Sequence, residues 1–133
     1  MSTKIIVIED THGIRRLIRM TLEFDGFEVI EATDAHVGLD RIRQEPPDLV
    51  LLDVNMPGIN GLEACRLLRA DPHTASIPVV MLTMANSPDD VRRGMEAGAN
   101  RYLTKPFLPT QLLDIVHQLT TGPVDVHGHR VGH

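Results

Sequence analysis

The chain has 133 residues, with 18 acidic side chains against 13 basic ones and a formal charge of −5, which is enough polypeptide to close one hydrophobic core and too little for two. That charge leaves no electrostatic footprint for nucleic acid, the single Cys65 excludes an internal disulfide, and no apolar run reaches the roughly 18 residues of a membrane-spanning helix. MSTKIIVIED carries no basic region followed by a long apolar stretch and cleavage site, so a cytoplasmic protein with no direct nucleic-acid or membrane partner is expected.

KIIVI, residues 4 to 8, is an unbroken apolar run without the period-two alternation of a strand that has one wet face. It reads as a strand covered on both sides, the form parallel sheets take. Ile14, Leu17, Ile18 and Leu22 then recur at helical spacing, with Met20 taken into the same core. FEVIEA, 27 to 32, mixes polar and apolar residues and suits a sheet edge. Ala35, Gly38, Leu39 and Ile42 predict a second helix. Gly38 inside it costs about 1 kcal/mol against alanine, so close packing on the sheet is its reason. DLVLL, 48 to 52, is the next apolar run, and it halts on Asp53 before the turn formers of NMPGING. Cys65 falls in a third helix beside Leu62, Leu67 and Leu68, as a small core residue rather than a reactive thiol.

IPVVML, 77 to 82, with Met81 in the core, is the third fully apolar run. The best-marked helix follows in SPDDVRRGMEAG. There Ser87 caps, Pro88 takes the first helical position, Asp89 and Asp90 face the positive end of the dipole, and Gly98 closes in the left-handed conformation. Val91, Gly94 and Met95 form its stripe toward the core. NRYLT, 100 to 104, suits the second sheet edge, and Leu112, Ile115, Val116 and Leu119 mark the last helix. TGPVDVHGHRVGH lacks an apolar stripe and is expected to be a loose tail over 121–133, with His127, His129 and His133 solvated in it rather than holding a metal.

Strand and helix thus alternate five times through roughly residue 120. Right-handed crossovers turn that order into a doubly wound α/β domain over 1–120, a parallel sheet with helices on both faces. In such a sheet every strand delivers its C-terminal end to one edge, where ligands bind. The residues delivered there are Glu9 and Asp10, then Asp53 and Asn55, then Thr83, Met84 and Ala85, then Lys105 and Pro106. Crowded carboxylates repel one another unless a cation relieves them. Hard oxygen ligands with no Cys or His cluster favour Mg²⁺ or Mn²⁺ over Zn²⁺. Such an ion has room for a phosphate oxygen, and Lys105 would add a second positive charge and Thr83 a hydroxyl to the same phosphoryl group.

As a set, the acidic pair Glu9 and Asp10, the DVNMPGING segment around Asp53, Thr83, Tyr102 and the LTKPF segment carrying Lys105 and Pro106 resemble the receiver domain of two-component response regulators, over roughly residues 4 to 120. The resemblance implies a flavodoxin-like fold with five parallel strands in the order 2-1-3-4-5. It implies that Asp53 is the phosphoacceptor, attacking a phosphohistidine of a sensor histidine kinase or phosphotransfer protein. Asp10 and the Asp53 side chain, with the backbone carbonyl of Asn55, would hold Mg²⁺ directly, Glu9 would act largely through water, and Thr83 and Lys105 would bind the phosphoryl oxygens. Thr83 moving toward the phosphate would let Tyr102 rotate inward and reshape the face built from the fourth helix, fifth strand and fifth helix. That face would meet a downstream protein target or a second copy in a phosphorylation-dependent homodimer. A cis bond between Lys105 and Pro106 is implied too. The chain departs from the family pattern in carrying Glu9 where Asp is also common, His12 with no counterpart, and Ala85, too small and apolar to shield the acyl phosphate.

Rival readings are weaker. A phosphatase with an aspartate nucleophile wants a second aspartate two residues on, and Asn55 stands there; a nuclease on an acidic trio wants DxD and a basic surface. Nucleotide binding wants a glycine-rich loop after the first strand, where this chain has EDTHG. A phosphorylation-independent interaction module is the main alternative, although such relatives usually lose an acid or the lysine. The expectation is therefore a standalone phosphorylation switch with self-catalysed phosphotransfer and slow autodephosphorylation, not an enzyme acting on outside substrates. Arg92, Arg93, Arg101, Asp114 and Gln118 decorate its output face.

Overall fold

An apolar run without alternation needs cover on both faces, and the computed structural model, which describes residues 2–56, 58–84 and 88–120, shows what supplies it. Strands β1 (Lys4–Ile8), β2 (Glu28–Ala32), β3 (Leu49–Asp53), β4 (Val79–Thr83) and β5 (Arg101–Thr104) form one five-stranded sheet in the order β2-β1-β3-β4-β5. All its pairings are parallel. The helices are α1 (His12–Phe24), α2 (Ala35–Gln44), α3 (Gly61–Ala70), α4 (Pro88–Glu96) and α5 (Pro109–Thr120). This is the expected doubly wound order, with the two mixed-polarity strands at the edges.

Successive strand residues point to opposite faces, so the core divides in two. Ile6, Ile8, Val50, Leu52, Val79 and Met81 pack with Leu39, Ile42, Ala64, Cys65 and Leu68 of α2 and α3. Ile5, Val7, Leu49, Leu51, Val80 and Leu82 pack with Ile18, Leu22, Leu112 and Val116 of α1 and α5. Each such aliphatic side chain contributes roughly 1.5–3 kcal/mol over exposure, which keeps the central strands apolar up to their last position. The register pairs Ile8 with Leu52 and Asp53 with Leu82. One further step along β1 and β3 brings Glu9 level with Asp53.

Close approach explains two glycines. A Cβ at Gly38 would lie 2.4 Å from Ile8 Cδ1, so α2 sits close enough on β1 that any larger residue would force the Ile8 side chain to shift. A Cβ at Gly61 would lie 2.4 Å from the carbonyl oxygen of Asp53, so α3 starts hard against the end of β3. Asn60 caps α3 by accepting from the Glu63 N–H at 3.0 Å, and Asp34 caps α2 by accepting from Val37 at 2.9 Å. Pro88 opens α4 with Asp89 and Asp90 in its first turn, and Gly98 has φ +108° as expected. The Lys105–Pro106 bond is cis, and Cys65 is fully buried.

The packing corrects three helix expectations. Met20 and Met95 are not core residues but 59% and 46% exposed, and Leu17 is 46% exposed. An α-helix turns about 100° per residue, so Ile18 and Leu22 hold the buried line of α1 while Leu17 and Met20 fall beside or behind it. On α4 the buried position is Gly94, and Met95 is rotated away from it. The expected cap Ser87, Ala85 and the tail from residue 121 with its histidines lie outside the described residues. Among the described residues no helix is long and apolar enough to cross a membrane.

Candidate functional site

Parallel strands deliver the site to one edge. After β1, the Glu9 N–H still donates to the Ala32 carbonyl at 3.1 Å, and the chain then turns, the Thr11 N–H donating to Glu9 Oε2 at 3.0 Å. Val54 N–H donates to the Leu82 carbonyl at 2.9 Å and Lys105 N–H to the Thr83 carbonyl at 2.8 Å, which aligns the ends of β3, β4 and β5. Glu9, Asp10 and Asp53 each offer a carboxylate oxygen within 4.8 Å of the others. Glu9 and Asp53 are buried at 0% and 1% exposure, whereas Asp10 faces solvent.

Lys105 enters this cluster from the far side of the sheet. Its Nζ lies 2.6 Å from Glu9 Oε1 and 3.2 Å from Asp53 Oδ1, and the Asn55 N–H donates to the same Asp53 oxygen at 3.1 Å. Burial, then the neighbouring Glu9 charge, pushes the Asp53 carboxyl up to about 7, against the opposing pull of Lys105 and the Asn55 N–H. Burial works against the Lys105 ammonium, but its bonds to Glu9 and Asp53 outweigh that and hold it above its ordinary value.

Three carboxylates against one ammonium leave the cluster under-compensated, and its donors are all hard oxygens. A small divalent cation that takes one or two carboxylates and keeps several waters fits such a set. Asp10 is the carboxylate open to it, while Glu9 and Asp53 are buried. Glu9 already meets Lys105 and the Thr11 N–H, which suits it to a supporting place.

Thr83 is 2% exposed at the end of β4. It borders a cavity of about 420 Å³ whose lining includes Asn55, Met56, Arg93, Gly94 and Tyr102. The Tyr102 Oη is buried with no hydrogen-bond partner among the described residues. A second opening of about 410 Å³ lies on the α1 side, where Asp10, Asp53, Met84, Lys105 and Phe107 meet.

Glu9, Asp10, Asp53, Asn55, Thr83, Tyr102 and Lys105 therefore all reach this edge or its flanking cavity. Three others at the site were missed, Asn60, Gly61 and Arg15, and so was Arg69 away from it. Asn60 and Gly61 set where α3 begins against Asp53. Arg15 is 9% exposed, and Arg69 donates to the carbonyls of Gly98, Ala75 and Ile77 and to Asn100 Oδ1 at 2.7–3.1 Å. A stripe that counts apolar residues passes over an arginine, yet Arg15 sits three residues before Ile18 on its buried line, and that spacing was a usable signal. His12, unplaced by the sequence, sets its Nδ1 3.2 Å from Arg15 Nη2.

The response regulator receiver domain family matches residues 5–117. The phosphate regulon transcriptional regulatory protein PhoB of Klebsiella pneumoniae is 42% identical over 113 residues, which cover 85% of this chain and 49% of that protein. The DNA-binding response regulator MtrA of Mycobacterium leprae is 39% identical over the same 85% and 49%. The chain thus spans about half the length of the curated relatives it matches. Among solved structures, chemotaxis protein CheY4 of Vibrio cholerae superposes with a TM-score of 0.86 at 31% identity, over 90% of this chain and 99% of that one. The receiver domain of Francisella response regulator 1452 gives 0.84 at 28%, over 90% and 98%.

Proposed function

The chain belongs to the response regulator receiver domain family, and from that premise we propose that it is a phosphorylation-dependent switch in which Asp53 takes a phosphoryl group from a phosphohistidine of a sensor histidine kinase or phosphotransfer protein. The observation that carries this reading is the Asp53 carboxylate, 1% exposed, 3.2 Å from Lys105 and within 4.8 Å of two further acids. Asp53 attacks phosphorus as the donor imidazole leaves, and the product is an acyl phosphate on its side chain. Lys105 grips the transferred oxygens, and its bond to Glu9 aims it. Asp10, the Asp53 side chain and the Asn55 carbonyl would hold Mg²⁺ or Mn²⁺, with Glu9 in support. When bound, the ion supplies positive charge to the phosphoryl oxygens and lets Asp53 ionise.

Thr83 follows the phosphoryl group, and Tyr102 rotates toward the space it leaves. The Tyr102 Oη, beside a 420 Å³ cavity and without a partner among the described residues, supports that movement, since a buried hydroxyl gains by finding a partner. The readout is the face of α4, β5 and α5, where Arg92, Arg93, Arg101, Asp114 and Gln118 meet a protein target or a second copy of the chain. The switch acts in the cytoplasm, where its kinase holds its phosphohistidine. It turns over no outside substrate, because Asn55 stands where an aspartate phosphatase needs its acid, and its own chemistry is self-catalysed transfer and slow autodephosphorylation.

The length of the curated relatives favours a second reading of the output. They are transcriptional and DNA-binding regulators about twice as long; in this reading the same face addresses a further domain rather than a separate protein. The intact mass of the native protein decides between the two.

Incubation with Mg²⁺ and acetyl phosphate, followed by intact mass measurement, should give a phosphate adduct that disappears in Asp53→Asn. No adduct and no Mg²⁺ binding would leave the phosphorylation-independent interaction module as the better account.

A further inference from the structure

Glu9 and Asp10 are consecutive, and consecutive residues of an extended chain point to opposite sides. Yet both present carboxylate oxygens to Asp53 within 4.8 Å. The backbone must turn sharply after β1 and be held there. Thr11 supplies one hold, through its N–H to Glu9 Oε2. The other is Arg15. Its Nη1 donates to the Glu9 carbonyl at 2.8 Å and reaches the Asp10 carbonyl at 3.4 Å, its Nη2 meets His12 Nδ1 at 3.2 Å, and its Nε donates to Glu31 Oε1 at 3.2 Å. Glu31, on β2, is shared with Arg19, whose Nη1 lies 2.5 Å from Oε2, and Arg19 also pairs with Glu23 at 3.2 Å. A buried guanidinium is costly unless its donors are used. Here two of its contacts fall on the very peptides that carry the acidic pair.

We propose that Arg15 is the positioning residue of the acidic pair. It holds the Glu9 and Asp10 carbonyls on the far side of the turn so that both carboxylates face Asp53, and Glu31 fixes Arg15 in that pose. This rests on reading the cluster as a divalent-cation site. Lysine is no substitute, because a single ammonium is a point donor that cannot span two carbonyls and Glu31 together.

The test is Mg²⁺ affinity by titration calorimetry without any phosphodonor, on the wild type, Arg15→Lys, Arg15→Ala, Glu31→Gln and the double variant Arg15→Ala with Glu31→Gln, each checked for folding by circular dichroism. Partners that orient metal ligands are worth about 10–100-fold in metal affinity. Arg15→Ala and Arg15→Lys should each weaken Mg²⁺ binding by about tenfold or more, and Glu31→Gln by less. In the double variant the Glu31 change should add nothing, which a merely structural role would not produce. Should Arg15→Ala fail to fold, Arg15→Lys and Glu31→Gln carry the test. A folded Arg15→Lys or Arg15→Ala that binds Mg²⁺ within about twofold of wild type overturns the inference, as does a full Glu31→Gln effect in the Arg15→Ala background. Wild-type protein that binds no Mg²⁺ overturns the cation reading of the site and this inference with it.

Discussion

The two edges of the sheet treat buried charge in opposite ways. At the edge where the strands end, three carboxylates share one ammonium, and Asp53 is pushed up to about 7 because burial and Glu9 together outweigh Lys105. At the edge where the strands begin, the Arg69 cation is surrounded by neutral acceptors. Arg69 donates to the carbonyls of Gly98, Ala75 and Ile77 and to Asn100 Oδ1, while Asn100 Oδ1 also accepts from the Val79 N–H at 2.9 Å. That second arrangement ties the end of α3 to the start of β4 and to the approach to β5, and it asks for nothing further. The first leaves negative charge that the described residues do not offset. Satisfied polar groups fasten a fold, and under-compensated ones mark where a ligand belongs.

Removing the fastening should show the largest stability effect. Arg69→Ala leaves several partly buried carbonyls unpaired and should cost about 3 kcal/mol in urea unfolding, while Mg²⁺ affinity of the folded protein stays near that of wild type. A cost below about 1 kcal/mol would mean that the two edges are not divided in this way.

Gly61→Ala and Gly38→Ala sharpen the same division. Both overpack, each by about 2 kcal/mol, but the Gly61 methyl meets the Asp53 carbonyl oxygen and Val54 Cα whereas the Gly38 methyl meets only the Ile8 side chain. Gly61→Ala should therefore also slow Asp53 phosphorylation by acetyl phosphate, and Gly38→Ala should not. Equal rates in the two variants would separate the start of α3 from the site.

The last effect is in pH and is spread over several units. With a chelator present, the Asp53 carboxyl has a folded value of about 7 against an ordinary 3.8, so between those values the folded state holds a proton that the unfolded state has released. Stability must then fall as pH rises through that window, by about 1.4 kcal/mol per pH unit. Asp53→Asn should abolish that fall and be more stable than wild type in chelator at pH near 8, and Mg²⁺ should restore the wild type. Unfolding curves at both ends of the window, with a wild type that loses nothing on raising the pH, would show the acidic edge to be compensated after all.

Much of this was legible before any coordinates. KIIVI, DLVLL and IPVVML announce buried parallel strands because, Lys4 and Asp48 aside, every residue in them is apolar, and the ends of those runs name Glu9, Asp10, Asp53 and Thr83 at once. Strand ends are local features, and parallel topology carries them to one edge without further information. Arg69 was illegible, and Arg15 was passed over despite its spacing from Ile18, because an arginine on a helix reads as solvated until its neighbours are known. Met20 and Met95 were misplaced for a related reason: hydrophobicity says that a residue can be buried, but helix phase against the sheet says whether it is.

The amino-acid order by itself determined the alternation of strand and helix, the two-sided core and the residue types at the strand ends, since each depends on hydrophobic patterning within a few neighbouring positions. Only the tertiary structure decided that Lys105 lies 2.6 Å from Glu9 across 96 positions of chain, that Glu31 of β2 steadies Arg15 of α1, and that Gly61 presses on Asp53. Those contacts join elements through space, where distance along the chain carries no information about direction or reach.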